Sequence, residues 1–105
     1  MHAFPLNDLL AARSASSKLY HEFLRVPTMS AGIYGLAAGA VDVQSPHDQD
    51  EIYYVIAGRA HFRAADEDRP IQPGDTLYVA AHVPHKFHTI TEDLTLLVFF
   101  APAEG

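Results

Sequence analysis

Two segments of this chain, IYYVIA at residues 52–57 and LTLLVFF at residues 94–100, are apolar at almost every position. Both are short and rich in β-branched and aromatic residues, which favours strands. Successive side chains of a strand point to opposite faces of its sheet, so both faces of these strands need cover. We expect that cover from the opposite sheet of a barrel together with a partner subunit, or from the N-terminal segment.

The rest of the chain after its N-terminus divides into further short strand-like segments, which bring the total close to eight. Turn signals such as AGR at Gly58, ADEDR and QPGD separate them. No helical pattern lies between the segments, so the sheet should be largely antiparallel. The sequence therefore predicts an all-β fold, a small antiparallel barrel or double-sheet jelly roll. The additional segments are KLYHEFLRV, AGIYGLAAG, AHFRAA, RPIQ, DTLYVA and HKFHTI.

One short, peripheral helix is expected near the N-terminus. Leu6, Leu9 and Leu10 lie at helical spacing, and Asn7 or Asp8 can cap the first turn. The serine-rich SASS that follows should end it.

Length and charge exclude several classes of function. A chain of 105 residues with 49% hydrophobic residues suits a single domain, residues 1–105. A net charge of -6 and the lack of a lysine or arginine cluster argue against nucleic acid as a partner. With neither a basic leader nor a run of about eighteen apolar residues, we expect no signal peptide, no membrane span and a cytoplasmic location.

A polar stretch, SPHDQDE at residues 45–51, leads directly into the first apolar strand. The chain has no cysteine and seven histidines, so a metal site must use oxygen and imidazole ligands. If the stretch is extended, Ser45, His47, Gln49, Glu51 and Tyr53 share the inner face. A carboxylate and an imidazole there need compensation, from a bound cation or from a mutual hydrogen bond at the barrel rim.

A second histidine cluster follows the QPGD turn. His82, His85 and His88 have helical spacing, but the Val-Pro pair between the first two argues against a helix. In a strand, His85 shares the inner face with Phe87, whereas Lys86 and His88 point outward. His85 is then the inward histidine, His88 a surface or interface residue, and His82 lies at the rim. Three histidines have no candidate partner nearby in sequence: His2, His21 and His61.

Residues 39–58 resemble the first motif of the cupin superfamily. That motif has a glycine, then His-x-His, a glutamate, six further residues and a closing glycine. Glu51 and Gly58 match in type and spacing, and His47 falls on the second histidine. Ser45 stands where the first histidine is usual.

Residues 74–89 resemble the second cupin motif. Gly74 is its opening glycine and His85 its histidine. The departures are Ala80 for a proline, His82 for a glycine and Thr89 for an asparagine. Two motifs in order and at the right separation are more specific than either alone.

The resemblance implies a β-barrel, frequent dimers and one divalent transition metal, commonly iron, manganese, zinc or nickel. The ligands carried over are His47, Glu51 and His85, two imidazoles and a carboxylate that leave positions open. Gln49 is a further possible oxygen ligand. A homodimer is also expected because the two apolar strands need more cover than so small a chain provides.

Two functions remain open at this point. One is a metal-dependent enzyme, oxygenase-like or isomerase-like, that acts on a small organic molecule. The other is a non-catalytic module that binds a small ligand with weak or no metal. Candidates for the lining of the pocket are Tyr53, Tyr78, Phe87 and His82.

Overall fold

The computed structural model describes residues 1–104. Within them lie one helix and six strands, which together form an all-β fold with a short N-terminal helix. The elements are α1 (Leu6–Ser16), β1 (Tyr20–Val26), β2 (Met29–Leu36), β3 (Asp50–Ala64), β4 (Glu67–Ile71), β5 (Thr76–Val79) and β6 (His85–Ala101).

All strand pairs are antiparallel, as the sequence predicts. Strands pair in the order β1-β2-β6-β3-β4, and β5 pairs with the first part of β3. Strands β3 and β6 form the centre of the sheet, with a register that runs from Asp50 opposite Ala101 to Ala64 opposite His85.

Strand β3 bends sharply and so closes the sheet around an interior. Nine residues of straight strand would separate Tyr53 from Phe62 by about 30 Å, yet their ring centroids are 5.7 Å apart. Three register shifts between Val55 and His61 produce the bend. They also switch the inward face from odd positions such as Tyr53 to even positions such as Phe62.

Six strands replace the eight expected segments because two pairs of segments are continuous. EIYYVIAG and AHFRAA form β3, and HKFHTI and LTLLVFFA form β6. The expectation of a turn at Gly58 is wrong, since its positive φ of 99° is used for a bend within β3. The other two expected turns are present, at Ala65–Asp66 and within residues 72–75.

The helix is present, but its predicted cap is wrong. The carbonyl of Pro5 accepts the first backbone hydrogen bonds, from the Asp8 and Leu9 amides, and no side chain caps this end. Ser17 ends the helix in the left-handed conformation. Helix α1 packs on β1 and β2 and buries Leu9. Within residues 1–104 no helix has the length and apolarity that crossing a membrane requires.

Side chains of strands β2 to β6 fill the interior. Part of the outer face of β3 and β5 is apolar and is not covered by the described residues. Ile52, Tyr54 and Tyr78 are exposed there, with Tyr78 at 64%. The expected cover for β3 is therefore incomplete within the chain. The core residues are Leu36, Tyr53, Val55, Ala60, Phe62, Ile71, Leu77, Val79, Phe87, Ile90, Leu94, Leu96, Val98 and Phe100.

Candidate metal centre

Three side chains with metal-ligating atoms meet at one end of the interior. Glu51 lies at the start of β3, His85 begins β6, and His47 precedes β3 in a loop. One ligand atom from each lies within 4.8 Å of the other two. Because β3 and β6 are paired, the bend that closes the sheet also brings these groups together.

His85 is buried, and its orientation is fixed by a backbone hydrogen bond. Its Nδ1 lies 2.8 Å from the carbonyl oxygen of Val83, so Nδ1 carries the proton and donates it. In the neutral ring the lone pair is then on Nε2, 3.0 Å from Oε1 of Glu51. Burial lowers the pKa of His85, but the Glu51 carboxylate and the Val83 carbonyl outweigh it, so the pKa is raised.

His47 lies beside two carboxylates. Its Nδ1 is 2.7 Å from Oε2 of Glu104, and its Nε2 is 4.0 Å from Oε1 of Glu51. The backbone is fixed too, since the His47 carbonyl accepts a hydrogen bond from the His82 amide at 2.7 Å. Glu104 is anchored through its own amide, which donates to the Ser30 hydroxyl at 3.0 Å. Burial raises the pKa of Glu104, and the neighbouring His47 ring opposes this rise.

The Glu51 carboxylate has no hydrogen-bond partner among the described residues. Its side chain is 2% exposed, and both carboxylate oxygens are buried without a donor. The 3.0 Å contact with His85 lacks hydrogen-bond geometry. A buried carboxylate left in this state costs several kcal/mol. A divalent cation fits the arrangement, because a carboxylate oxygen and the Nε2 atoms of both histidines lie close together.

A buried aspartate organises the polar groups beside this cluster. Oδ1 of Asp42 accepts from the Tyr34 hydroxyl at 3.0 Å. Its Oδ2 accepts from Nε2 of Gln44 at 2.7 Å and from the Phe87 amide at 2.9 Å. Gln44 in turn accepts through Oε1 from the Tyr53 hydroxyl at 3.0 Å. The chain Asp42–Gln44–Tyr53 therefore leads from β6 to the cluster.

A cavity of about 210 Å³ opens beside the three ligand atoms. No lysine or arginine of the described residues lines it. Tyr20 lines it, and the Tyr20 hydroxyl is buried without a hydrogen-bond partner. Burial raises the pKa of both Tyr20 and Tyr34, so both hydroxyls stay protonated and can donate. The lining residues are Tyr20, Tyr34, Gln44, His47, Glu51, Tyr53, Val98, Phe100 and Glu104.

Of the four pocket candidates, Tyr53 alone lines this cavity. Tyr78 is exposed on the outer face, and Phe87 lies in the core. His82 is exposed at the rim, with Nδ1 3.4 Å from Oδ1 of Asp48. Their positions follow from the strands, because Tyr78 has outward parity in β5 and Phe87 is enclosed by aromatic rings.

Gln49, the further oxygen ligand considered, does not line the cavity either. Residues 40–49 are not a strand, so the alternation assumed for Ser45, His47 and Gln49 does not apply to them. Ser45 is exposed. The amide oxygen near the cluster belongs to Gln44, 3.4 Å from Nε2 of His47.

Sequence reasoning missed four polar residues of the site: Tyr20, Asp42, Gln44 and Glu104. Asp42 and Gln44 alternate with valines in VDVQ, a pattern that would place the valines inward, whereas Val41 and Val43 are exposed and Asp42 is buried. Glu104 carries no signal, because a loop brings it beside His47 from beyond the end of β6. Tyr20 reaches the cavity because Gly32 has no side chain to obstruct its ring.

Known proteins resemble this chain in sequence and in structure. The model of the cupin domain family matches residues 32–100. The uncharacterized protein SCO3923 of Streptomyces coelicolor is 48% identical over 105 residues, all of both chains. KdgF from Halomonas sp. superposes with a TM-score of 0.72 at 25% identity, covering 79% of this chain and 76% of that one.

The DMSP lyase DddQ from Ruegeria pomeroyi also has this architecture, with a TM-score of 0.68 and 26% identity. The match covers 72% of this chain and 39% of DddQ, so this chain corresponds to less than half of that protein. The family match spans most of β2 to β6 and includes His47, Glu51 and His85. The chain is a member of the cupin domain family.

Proposed function

We propose that this protein holds one divalent transition metal through His47, Glu51 and His85 and uses it to act on a small organic molecule. The observation that carries the proposal is the Glu51 carboxylate, buried with both oxygens unpartnered between two histidine nitrogens. Iron, manganese, zinc and nickel all accept two imidazoles and a carboxylate. Such a metal would activate water or dioxygen, or polarise a substrate oxygen.

The chain's own residues give each ligand a defined role. The Val83 carbonyl accepts a hydrogen bond from Nδ1 of His85, and the Glu104 carboxylate lies 2.7 Å from Nδ1 of His47, so each ring would present Nε2 to the metal. Partners of this kind fix ring orientation and increase ligand basicity. Tyr20 would donate a hydrogen bond to an oxygen of the bound molecule, since its hydroxyl is protonated and unpartnered.

The cavity restricts the class of molecule. Its volume of about 210 Å³ is below the range of about 300–1,000 Å³ for drug-sized ligands. Without a lysine or arginine among its described lining residues, it offers no counter-charge to a phosphate. A small, oxygen-bearing molecule with at most one negative group is the substrate we infer. The similarity to a DMSP lyase supports small-molecule chemistry in such a barrel.

Metal content tests the proposal directly. Protein prepared without a histidine tag is expected to contain close to one transition-metal ion per chain by elemental analysis. Glu51→Gln should be nearly metal-free, since a neutral amide replaces the carboxylate of the ligand set. Tyr20→Phe, which alters the same cavity without removing a ligand, should keep the full metal content. Metal-free wild-type protein that also takes up none on addition would instead favour the non-catalytic binding module.

A homodimer through the outer face of β3 and β5 is a separate expectation. Ile52 pairs with Tyr78 across these strands, and Tyr54 extends the same exposed apolar face. Sedimentation at micromolar concentration should give twice the chain mass of 11.5 kDa. Tyr78→Arg should give the monomer. A wild-type monomer at every concentration would contradict this expectation.

A further inference from the structure

A second group of potential metal ligands lies on the opposite face of the β3–β6 pair. His61 of β3 and His88 of β6 are directly opposite each other in the register, with ring centroids 5.4 Å apart. Asp68 of β4 lies beside them. From sequence these residues carry no ligand role, because each is on a different strand.

The distances are those of a ligand cluster. Nε2 of His88 is 2.9 and 3.0 Å from the two carboxylate oxygens of Asp68, and Nδ1 of His61 is 3.8 Å from Oδ1. One ligand atom from each residue lies within 4.8 Å of the other two. A tetrahedral ion with bonds of about 2.0–2.1 Å holds its ligand atoms roughly 3.3 Å apart, so small side-chain adjustments suffice.

The His88 ring is already oriented for this role. Its Nδ1 lies 3.0 Å from the Thr89 hydroxyl, which can accept a hydrogen bond from Nδ1–H and leave Nε2 toward Asp68. The simpler alternative is a hydrogen bond from Nε2 of His88 to Asp68 without a metal ion. That hydrogen bond explains one histidine and leaves unexplained why His61 completes the group.

Two neighbouring cations decide which ions this group can hold. Arg63 and Lys86 face each other in the register and line the same surface hollow as Asp68 and His88. They offset the single carboxylate charge, so ions held mainly by charge, such as magnesium and calcium, gain little. Zinc, nickel and copper bind imidazole strongly enough to occupy the group when the free ion is supplied.

We propose that His61, Asp68 and His88 form a second metal site, selective for zinc, nickel or copper, that fastens β4 to the β3–β6 pair. The test uses nickel and metal-free wild-type protein in isothermal titration calorimetry. Wild type is expected to bind two ions per chain. His61→Ala/His88→Ala should bind one, and His85→Ala should also bind one. The matched control His21→Ala, a histidine of β1 outside both clusters, should still bind two.

Further variants separate a metal site from a histidine–aspartate hydrogen bond. Lys86→Gln should tighten nickel binding at this site several-fold, because it removes a repulsive charge, and Asp68→Asn should weaken it. A purely structural hydrogen bond would show neither effect. Two ions still bound by the His61→Ala/His88→Ala protein would overturn the proposal, as would a wild type in which only the His85-dependent ion is seen. If His85→Ala still binds two ions while the His61→Ala/His88→Ala protein binds one, the interior site is contradicted and the outer site is supported.

Discussion

Replacing His85 by alanine is expected to abolish the thermal stabilisation that a bound metal gives this protein. A metal that binds only the folded chain stabilises it by about 2.7 kcal/mol when the free ion is at a hundredfold its dissociation constant. For a domain of this size that corresponds to roughly 10 to 20 °C in melting temperature. With the outer site removed by His88→Ala, the protein should therefore melt much lower in excess chelator, whereas His85→Ala in that background should melt at one temperature with and without it.

The comparison is cleanest in a His88→Ala background, where the outer histidine pair cannot contribute. His21→Ala in that background is the matched control and should keep the full chelator response. Glu104→Gln should give a graded result, with metal affinity reduced about 10- to 100-fold, because Glu104 acts through His47. An unchanged chelator response in His85→Ala would remove His85 from the site.

Substituting Gly58 by alanine should cause the largest loss of stability available from a single methyl group. Gly58 has a φ of 99°, which costs a residue with a side chain about 1 to 2 kcal/mol. Its Cβ would also overlap the carbonyl oxygen of Asp93 and lie 2.7 Å from Cα of Leu94. Those are backbone atoms of the paired strand and cannot rotate away. We expect the free energy of unfolding to fall by roughly 3 to 5 kcal/mol.

Gly74→Ala separates the two causes. Gly74 has a similar φ of 95°, but a Cβ there would meet nothing within 4 Å. Only the conformational cost should remain, about 1 to 2 kcal/mol. Urea unfolding measures both variants, with the slope of the transition used to check that the two-state treatment holds. Equal losses in the free energy of unfolding would mean that the backbone at Asp93 and Leu94 moves at little cost and that the bend of β3 is easily deformed.

Most of the fold can be predicted from the sequence, and the predictions that are wrong have one physical cause. Alternation of apolar residues identified the antiparallel strands and the inward positions of Glu51 and His85, because burial dictates that pattern. A glycine between two strand-like segments suggested a turn at Gly58. A positive φ also allows a bend within a continuous strand. Pairing with β6 decides between a turn and a bend, and this pairing cannot be read from the sequence.

The site was only partly accessible, for the same reason. Glu51 and His85 lie in strands, where spacing determines direction. Gln44 and His47 lie in a loop, where spacing does not determine the direction of a side chain. The sequence therefore points to Gln49 rather than Gln44. Glu104 and the pair of His61 with His88 depend on contacts between distant parts of the chain. Such contacts follow from register, and register is a property of the folded sheet.

The continuous pairing of β3 with β6 determines when the interior ligands can meet during folding. Paired residues of these strands are separated by 21 to 51 positions along the chain, from Ala64–His85 to Asp50–Ala101. Closing such long loops costs chain entropy before the contacts repay it, so assembly should be slow for a protein of this length. Metal uptake should then follow strand pairing, and the slowest amide hydrogen exchange should be found in these two strands.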